Sequence, residues 1–393
     1  MQYFNVKKIY LASFLKNLHF FGALAVPYFI DWIGVDYTRI FFLQAWFIFW
    51  SFILEIPTGI VADKWGRKYS VGLGCLLFGV DMFFFGLCRS YPILYLAEFV
   101  GALGFTMISG ADKALLYDTV SEIHKKERAR YYLARYDFFG TLGLLISFPV
   151  GSLIVSRWNY SGALAFPFFL TGISSVLAFG LFLWIREPSR KRPNEQFLKM
   201  GIEGIRHLLT YKKLRLFTLN YVTISAITFF MFWFYQTLLR KIGMDVGYFG
   251  LVGAGSNLFA AFLLSRIKIL EKLLGISRLL FLSALIPGLL YIGISFNQNI
   301  IFVLFSIFTI IGLKLLRMPI MLDYVNQMID SQHRATLLSA VSILEKMIIF
   351  IFYPFIGLVA DHSINLAFLL LGVICLAFTL LTRIETEFLT RKS

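Results

Sequence analysis

The sequence is poor in charged residues. Asp, Glu, Lys and Arg make up 15% of its 393 residues, whereas a soluble domain carries about 25%. Hydrophobic residues make up 59% and the mean hydropathy is +0.76. This much apolar surface cannot all enter the core of a water-soluble fold, so the composition predicts an all-α polytopic membrane protein.

Several sequence features of other functional classes are missing. The three cysteines, Cys75, Cys88 and Cys375, lie in or beside apolar runs, and their number is odd, so neither a disulfide framework nor a zinc site is expected. No HExxH, GxSxG or GxxxxGK[ST] motif occurs, which argues against a membrane-embedded enzyme and against direct ATP drive. The net charge of +15 comes from loops between apolar runs, not from one polar domain, so we expect no nucleic-acid partner.

Apolar runs long enough to cross a bilayer recur along the whole chain. They lie near residues 9–32, 38–62, 69–88, 92–117, 133–156 and 161–185, then near 214–239, 246–266, 278–296, 299–327, 336–360 and 363–383. Lys and Arg are concentrated in alternate loops, which predicts a multi-pass protein of a bacterial-type plasma membrane with both termini in the cytoplasm. The opening MQYFNVKK leads into the first run without a small-residue cleavage site, so we expect a retained first helix.

One long polar connection divides the chain. It predicts an N-terminal six-helix bundle over 1–185, a cytoplasmic linker over 186–213 and a C-terminal six-helix bundle over 214–393. Within the linker, Phe197–Leu209 has the mixed polarity of a short interfacial helix. Pro followed closely by Gly recurs in corresponding spans, at 57/59, 149/151 and 354/357, which is typical of the nested repeats of secondary transporters.

The segment after the second predicted span, Gly59-Ile-Val-Ala-Asp63-Lys64-Trp65-Gly66-Arg67-Lys68, carries the most specific motif, and we call it the signature loop. It resembles the loop signature of the major facilitator superfamily. The stretches Glu55-Ile-Pro57-Thr58-Gly59 and Arg317-Met318-Pro319-Ile320 resemble the drug-exporter-like, proton-antiporter branch of that family. The resemblance implies twelve transmembrane helices in two pseudo-symmetric bundles, a monomer, a small-molecule substrate, and a proton gradient rather than a cofactor.

Each polar or glycine position of the signature loop has an expected role. Gly59 should allow close helix contact and Gly66 a tight turn. The resemblance implies that Asp63 latches the two halves together and that Arg67 pairs with an acid at the end of the fourth span, where Asp118 is suitably placed. Alternatively, the loop is only a topology determinant, a task that its basic residues, Lys68 among them, would perform anyway.

Ionisable residues within the spans are the remaining candidates, because their burial is costly and usually marks a pathway. For proton coupling the candidates are Glu55, Glu98, Asp112 and Asp137, with Glu55 and Asp112 preferred. The resemblance implies that helices one, four, seven and ten line a central cavity, which gives as substrate candidates Lys16, His19, Asn220, Tyr221, Tyr235, Gln236, Lys314 and Arg317. More modest roles stay open: Asp112 and Lys113 as an interfacial pair, and His19 as a packing residue.

These features predict a secondary active transporter that works by alternating access, with proton-coupled efflux of amphipathic or drug-like compounds as the first hypothesis. Proton-coupled uptake or exchange of an organic anion is the alternative, since Lys16, Lys314 and Arg317 could form a cationic site. The antiporter pattern of the fifth span is only partial, with Phe148 where a glycine is expected before Pro149, so the direction of transport stays open.

Overall fold

The computed structural model describes residues 2–123, 126–158, 161–188, 212–327 and 334–382, and within these ranges the chain is helical, without a strand. Eleven helices among the described residues are long and apolar enough to cross a membrane. They correspond to the second to twelfth spans predicted from the sequence. The all-α polytopic fold class is therefore confirmed.

The first predicted span, 9–32, is not one continuous helix. Helix α1 (Gln2–Lys16) is followed by turns, then by a short helical turn, Ala25–Pro27, and a wide π-helical turn, Tyr28–Ile33. The π turn ends at Gly34, whose φ of +78° favours glycine. Because α1 stops early, Lys16 occupies its last turn, where the helix dipole favours a positive charge.

The described residues form two compact units. The first contains those of Met1–Val35, Leu43–Glu195 and Asp245–Ala254, and the second those of Asp36–Phe42, Gln196–Met244 and Gly255–Ser393. These differ from the predicted bundles at 36–42 and 245–254. Most of the predicted linker and its interfacial helix, 189–211, lies outside the described residues.

The first unit is a bundle of packed helices. After α1 its helices are α2 (Tyr37–Trp65, in this unit from Leu43 onward), α3 (Arg67–Leu87), α4 (Tyr91–Ile108), α5 (Ala111–Glu122), α6 (Ala129–Arg157) and α7 (Phe166–Leu183). Helix α3 packs against α4 and α7, and α1 packs against α6 and α7. A Cβ added at Gly74 of α3 would lie 2.7 Å from the carbonyl oxygen of Gly104 in α4. Small residues therefore let these backbones approach closely, as in other membrane bundles.

The fourth predicted span is broken. Helix α4 ends at Ile108, and α5 begins at Ala111 after the pair Ser109–Gly110. Gly110 has a φ of +73°, a conformation that side chains disfavour. The break creates a new helix N-terminus inside the predicted span and places Asp112 in its first turn, where the helix dipole favours a negative charge.

The second unit has its own hydrophobic core. Its helices are α8 (Lys212–Lys241), α9 (Phe249–Ser265, in this unit from Gly255 onward), α10 (Ile267–Leu274), α11 (Ile276–Phe296), α12 (Ile300–Gln327), α13 (Arg334–His362) and α14 (Ile364–Leu381). Helix α11 packs against α14 and α12, and α8 packs against α12, α13 and α14. Buried side chains from α8, α11, α12 and α13 form a shared cluster that includes Phe217, Leu280, Met321 and Val341.

Candidate functional site

A buried ion pair links the end of α1 to the start of α5. The Lys16 Nζ atom lies 2.7 Å from Oδ2 of Asp112, and the two side chains are 14% and 10% exposed. The hydroxyl of Tyr136 on α6 donates to the same oxygen at 2.6 Å. The backbone N–H of Lys113 donates to the other oxygen, Oδ1, at 2.6 Å. We call Lys16, Asp112 and Tyr136 the Lys16–Asp112 cluster.

Local structure explains how the cluster forms. Lys16 ends one helix and Asp112 begins another, so both charges are favoured by the dipole of their own helix. Tyr136 is held close to α1, where the hydroxyl of Ser13 donates to its backbone carbonyl at 3.0 Å. On the same face of α6, a Cβ added at Gly143 would lie 2.6 Å from the carbonyl oxygen of Phe14. The glycine therefore brings α6 close enough for the tyrosine to reach Asp112.

The chemistry of the cluster follows from its charge. Asp112 accepts three hydrogen bonds, and its negative charge balances that of Lys16. Removing one partner of a buried pair costs about 3–5 kcal/mol, because the other charge is left uncompensated. A proton bound by Asp112 would neutralise the carboxylate and leave Lys16 with excess positive charge. The arrangement can therefore couple proton uptake to a change in structure.

His19 lies beside the cluster without contacting Asp112. Its Nε2 atom is 3.1 Å from the backbone oxygen of Lys16, and its ring packs on Phe21 and Phe78. It occupies the turn that follows α1. These contacts match the packing alternative that the sequence left open.

Asp137, another candidate for proton coupling, follows Tyr136 on α6 but lies in a more exposed environment. Its Oδ1 atom is 3.0 Å from Nζ of Lys113, and the side chains are 56% and 55% exposed. Exposed pairs of this kind contribute about 0–1 kcal/mol to stability. Lys113 therefore pairs with Asp137, whereas the carboxylate of Asp112 binds Lys16. Of the two roles that the sequence left open for Asp112, this geometry does not favour an interfacial pair with Lys113.

The two other proton candidates differ in burial. Glu55 on α2 is exposed, whereas Glu98 on α4 is 6% exposed and accepts a hydrogen bond from Nε2 of Gln44 at 2.8 Å. Asp81 on α3, 2% exposed, lies near Glu98. Sequence reasoning left Asp81 out of the candidates, since nothing in an isolated apolar span indicates which neighbour a carboxyl faces.

The signature loop forms a tight turn and an ion pair. Gly66 has a φ of +119° and precedes α3 directly. Nη1 of Arg67 pairs with Oδ2 of Asp118 on α5, so the structure brings together the two residues that the resemblance joined. The Nζ atom of Lys68 donates to the carbonyl of Ile185 at 3.0 Å.

Glu187 completes this turn and was missed in the sequence. Its two carboxylate oxygens accept the backbone N–H groups of Arg67 and Lys68 at 2.8 and 2.9 Å. Glu187 thus caps the N-terminus of α3, where the first N–H groups of a helix lack partners. The available signal was a lone acid directly before Pro188, at the end of the sixth span.

Two other positions of the signature loop lie at the end of α2. Gly59 was expected to permit a close helix contact, and this is wrong, because a Cβ added there meets no described atom within 4 Å. Asp63 lies in the last turn of α2 and is partly exposed. Its role as a latch stays a prediction.

In the second unit, Arg317 is held inside the packing of the helices. Its side chain donates to the carbonyl of Leu280 at 2.5 Å, to the hydroxyl of Ser283 at 2.8 Å and to the amide oxygen of Asn220. Asn220 in turn donates to Thr382. Arg317 is 2% exposed and Asn220 is 3% exposed. The geometry therefore favours a structural role for both over the predicted substrate contact.

Lys314 lies one turn from Arg317 but in more open surroundings. Its Nζ atom is 4.1 Å from the ring centroid of Phe229, a cation–π geometry. Glu345 on α13 interacts with it electrostatically and accepts a hydrogen bond from the hydroxyl of Ser225 at 2.5 Å. Lys314 and Glu345 are both partly exposed. The three remaining candidates, Tyr221, Tyr235 and Gln236, are buried at 3%, 1% and 0% exposure.

Comparisons with known proteins identify the family of this chain and other proteins with the same fold. The family model described as Major Facilitator Superfamily matches residues 9–352. The chain belongs to the Major Facilitator Superfamily. It is therefore a multi-pass membrane transporter of small molecules rather than an enzyme.

Relatives in this superfamily include two resistance proteins. "Quinolone resistance protein NorA" of Staphylococcus aureus is 23% identical over 198 residues, which cover 49% of each chain. "Multidrug resistance protein 1" of Bacillus subtilis is 25% identical over 197 residues, which cover 48% of each chain. The matches thus span about half the length of these relatives.

Solved structures of the superfamily match nearly the whole chain. The nucleoside transporter NupG aligns with a TM-score of 0.81 and 13% identity, covering 98% of this chain and 99% of its own. A bacterial homolog of the human lysosomal transporter Spinster aligns with a TM-score of 0.78 and 16% identity, covering 99% of this chain and 98% of its own. The TM-scores establish a shared fold, whereas identities this low leave the substrate open.

Proposed function

We propose that this transporter is a proton-coupled exporter of amphipathic, drug-like compounds that works by alternating access in a bacterial-type plasma membrane. The observation that carries the proposal is the Lys16–Asp112 cluster, a buried carboxylate paired with one lysine at a helix break. The names of the two relatives, which refer to quinolone and multidrug resistance, support the export of such compounds.

The proposed coupling step is proton uptake by Asp112. In the ionised state the carboxylate holds Lys16 and Tyr136, which fixes the end of α1 against α5 and α6. Protonation removes the ion pair, so the positive charge of Lys16 favours a conformation in which it reaches water or a polar substrate. Release of the proton restores the pair and resets the transporter.

The proposed substrate contact in the second unit is formed by Lys314, Phe229, Glu345 and Ser225. An aromatic ring, an ammonium and a carboxylate occur together on partly exposed surfaces of α8, α12 and α13. Such a mixed surface suits a molecule that has an aromatic body and a polar group. For an organic anion the surface is less suitable, because Glu345 offsets Lys314, and the Nη1 and Nη2 donors of Arg317 are engaged within the protein.

The signature loop has a proposed part in the transport cycle. Gly66 forms the turn at the start of α3, and Asp118 and Glu187 both bind Arg67 there. We propose that Asp63, at the preceding helix end, latches the cytoplasmic side in one state of the cycle. A monomer with both termini in the cytoplasm is part of the same proposal.

The test is pH-gradient dissipation in proteoliposomes that contain the purified chain. Cationic amphipathic dyes and small organic anions are added separately. We expect the dyes to evoke proton movement in the wild type and none in Asp112→Asn. The matched control is Asp137→Asn, which removes an exposed carboxylate on α6 and should retain at least half of the wild-type rate.

Two results would refute the proposal. Proton movement evoked by anions and not by dyes would favour anion uptake or exchange. Normal coupling in Asp112→Asn would remove the cluster from the mechanism. Asp63→Asn is the corresponding test of the latch: we expect it to lower transport while the protein still inserts into the membrane, and full activity would exclude that role.

A further inference from the structure

Asp81 and Glu98 form a second buried acidic site in the first unit. Asp81 lies on α3 and is 2% exposed, and Glu98 lies on α4 and is 6% exposed. A Cβ added at Gly101 of α4 would lie 2.3 Å from Oδ2 of Asp81. The carboxyl of Asp81 therefore rests directly against the backbone of α4, in a space that exists because position 101 has no side chain. We call Asp81 and Glu98 the acid pair.

The two carboxyl groups have few polar partners. Glu98 accepts one hydrogen bond from Nε2 of Gln44, at 2.8 Å. Oδ1 of Asp81 is buried and has no hydrogen-bond partner among the described residues. Neither carboxyl belongs to an ion pair in the part of the chain that the structure describes. In this respect the acid pair is the opposite of Asp112, which accepts three hydrogen bonds and faces a lysine.

Among the described residues, no basic side chain forms an ion pair with Asp81 or Glu98, and the charged group that acts on Asp81 is Glu98. Helix α7, which packs along α3, contributes no ionisable side chain over Phe166–Leu183. Tyr28 interacts electrostatically with Asp81 and with Cys88, but its hydroxyl donates to the carbonyl of Phe85 at 2.5 Å. Helix α4 supplies Glu98 itself, whose charge repels that of Asp81.

Two adjacent carboxylates in such a site cannot both be ionised. Burying one isolated carboxylate costs several kcal/mol of desolvation free energy, and a second negative charge beside it adds electrostatic repulsion. Gln44 donates its hydrogen bond to Glu98, which favours the ionised form of Glu98. Asp81 receives no such donor among the described groups. Protonated Asp81, in contrast, has an O–H to donate, so the proton removes a charge and supplies a donor together.

We propose that the acid pair is a proton-binding site, occupied by one proton held on Asp81 near neutral pH, separate from the Lys16–Asp112 cluster. Asp81 lies six residues before the end of α3 and Glu98 seven residues after the start of α4. Helix α4 continues for ten residues after Glu98, which is about 15 Å of helix rise, and Asp112 lies beyond the break that follows. The two sites thus lie at different levels of the first unit. Any role of the acid pair in transport rests on the proposed proton coupling. The binding of a proton by the pair does not depend on that coupling.

The test is infrared spectroscopy of the full chain in lipid, in buffer without substrate. A protonated carboxyl gives a carbonyl stretch distinct from that of a carboxylate, and this band shifts in D₂O. We expect the wild type to show such a band near neutral pH, to lose it in Asp81→Asn and to show it shifted in Glu98→Gln. The matched control, Asp137→Asn, should leave the band unchanged, since Asp137 is exposed and paired with Lys113.

Three results would overturn the proposal. The first is the absence of a protonated-carboxyl band in the wild type near neutral pH. The second is an unchanged band in both Asp81→Asn and Glu98→Gln, with folding of each variant verified by circular dichroism. The third is loss of the wild-type band when sodium ions are added at constant pH, which would identify the ligand as a metal cation. Because no substrate is present, a failure of proton-coupled transport leaves this outcome unaffected.

Discussion

Replacing Lys16 by methionine is the most direct test of the energetics of the Lys16–Asp112 cluster. The substitution keeps an unbranched side chain but removes the ammonium that lies 2.7 Å from Asp112. The reciprocal variant, Asp112→Asn, keeps the shape of the carboxyl and leaves Lys16 without its partner. The double variant Lys16→Met/Asp112→Asn has neither charge.

The expected magnitudes follow from the cost of neutralising the group that is left alone. An ordinary aspartate has a pKa of about 3.9, so placing a proton on it near pH 7 costs about 4 kcal/mol. Removing the proton of an ordinary lysine, with a pKa of about 10.4, costs about 4–5 kcal/mol. Each single variant should therefore lose up to about 4 kcal/mol, in line with the cost of breaking buried pairs. The double variant should lose about 1–2 kcal/mol at most, since neutral replacement of a buried pair is often tolerated.

The assay is the free energy of unfolding of the four proteins, measured by SDS titration in mixed micelles with circular dichroism. The distinctive expectation is that the double variant is more stable than either single variant. Lys16→Met should also recover stability as the medium becomes more acidic, because the proton that Asp112 then takes up is more available. Lys113→Met and Asp137→Asn, which separate an exposed pair, should each change stability by about 1 kcal/mol or less. Additive losses in the double variant would refute the reasoning.

Three further predictions concern the first unit and use the same unfolding assay. Glu187→Gln should cost about 1 kcal/mol, because the cap of α3 loses its charge, and an unchanged stability would exclude the capping role. Gly101→Ala should cost about 1–3 kcal/mol because its Cβ would collide with Asp81, whereas Gly180→Ala, where a Cβ meets nothing within 4 Å, should be neutral or stabilising. For Asp245, hydrogen bonds from the Ser156 hydroxyl and the Gly247 N–H lower the pKa, so its stabilisation should be present above about pH 4 and lost as pH falls further, and Asp245→Asn should show no loss in acid.

Short-range features of the fold could be predicted from the sequence. The turn at Gly66 follows from a motif whose spacing is fixed within a few residues. The pairing of Arg67 with Asp118, 51 residues away, was implied by the resemblance to the superfamily. The length and apolarity of the spans gave eleven helices close to their observed bounds. The turn depends on local chain geometry, and the length of each span depends on the thickness of the bilayer. Both leave a pattern that can be seen in a single sequence.

The contacts of the candidate site could not be predicted in the same way. Lys16 and Asp112 are 96 residues apart, and they meet because two spans are interrupted, one after α1 and one at Gly110. A continuous fourth helix would not have given Asp112 a helix N-terminus of its own. The interruption is marked in the sequence only by Ser109–Gly110, and glycine by itself is frequent in membrane helices.

The direction in which a side chain points from its helix was also not predictable from the sequence. Arg317 lies on the helix that the resemblance assigned to the cavity, but its guanidinium turns toward α8 and α11. A water-facing helix shows its buried face as an apolar stripe, whereas a membrane helix is apolar on all sides. The position of Arg317 along α12 was therefore predictable, and the helix it faces was not.

The two units differ in what a single proton can change. In the second unit, the charge of Arg317 is held by a carbonyl, a hydroxyl and an amide, none of which gains a proton near neutral pH. In the first unit, Lys16 and Asp112 sum to zero, and one proton on Asp112 converts a neutral buried cluster into a positive one. The proposed acid pair behaves in the opposite way, since loss of its proton would leave both Asp81 and Glu98 negatively charged. A proton moved from the acid pair to Asp112 would therefore place two negative charges at one buried site and a positive charge at the other. For this reason we expect the acid pair to keep its proton while Asp112 gains and loses one in each cycle.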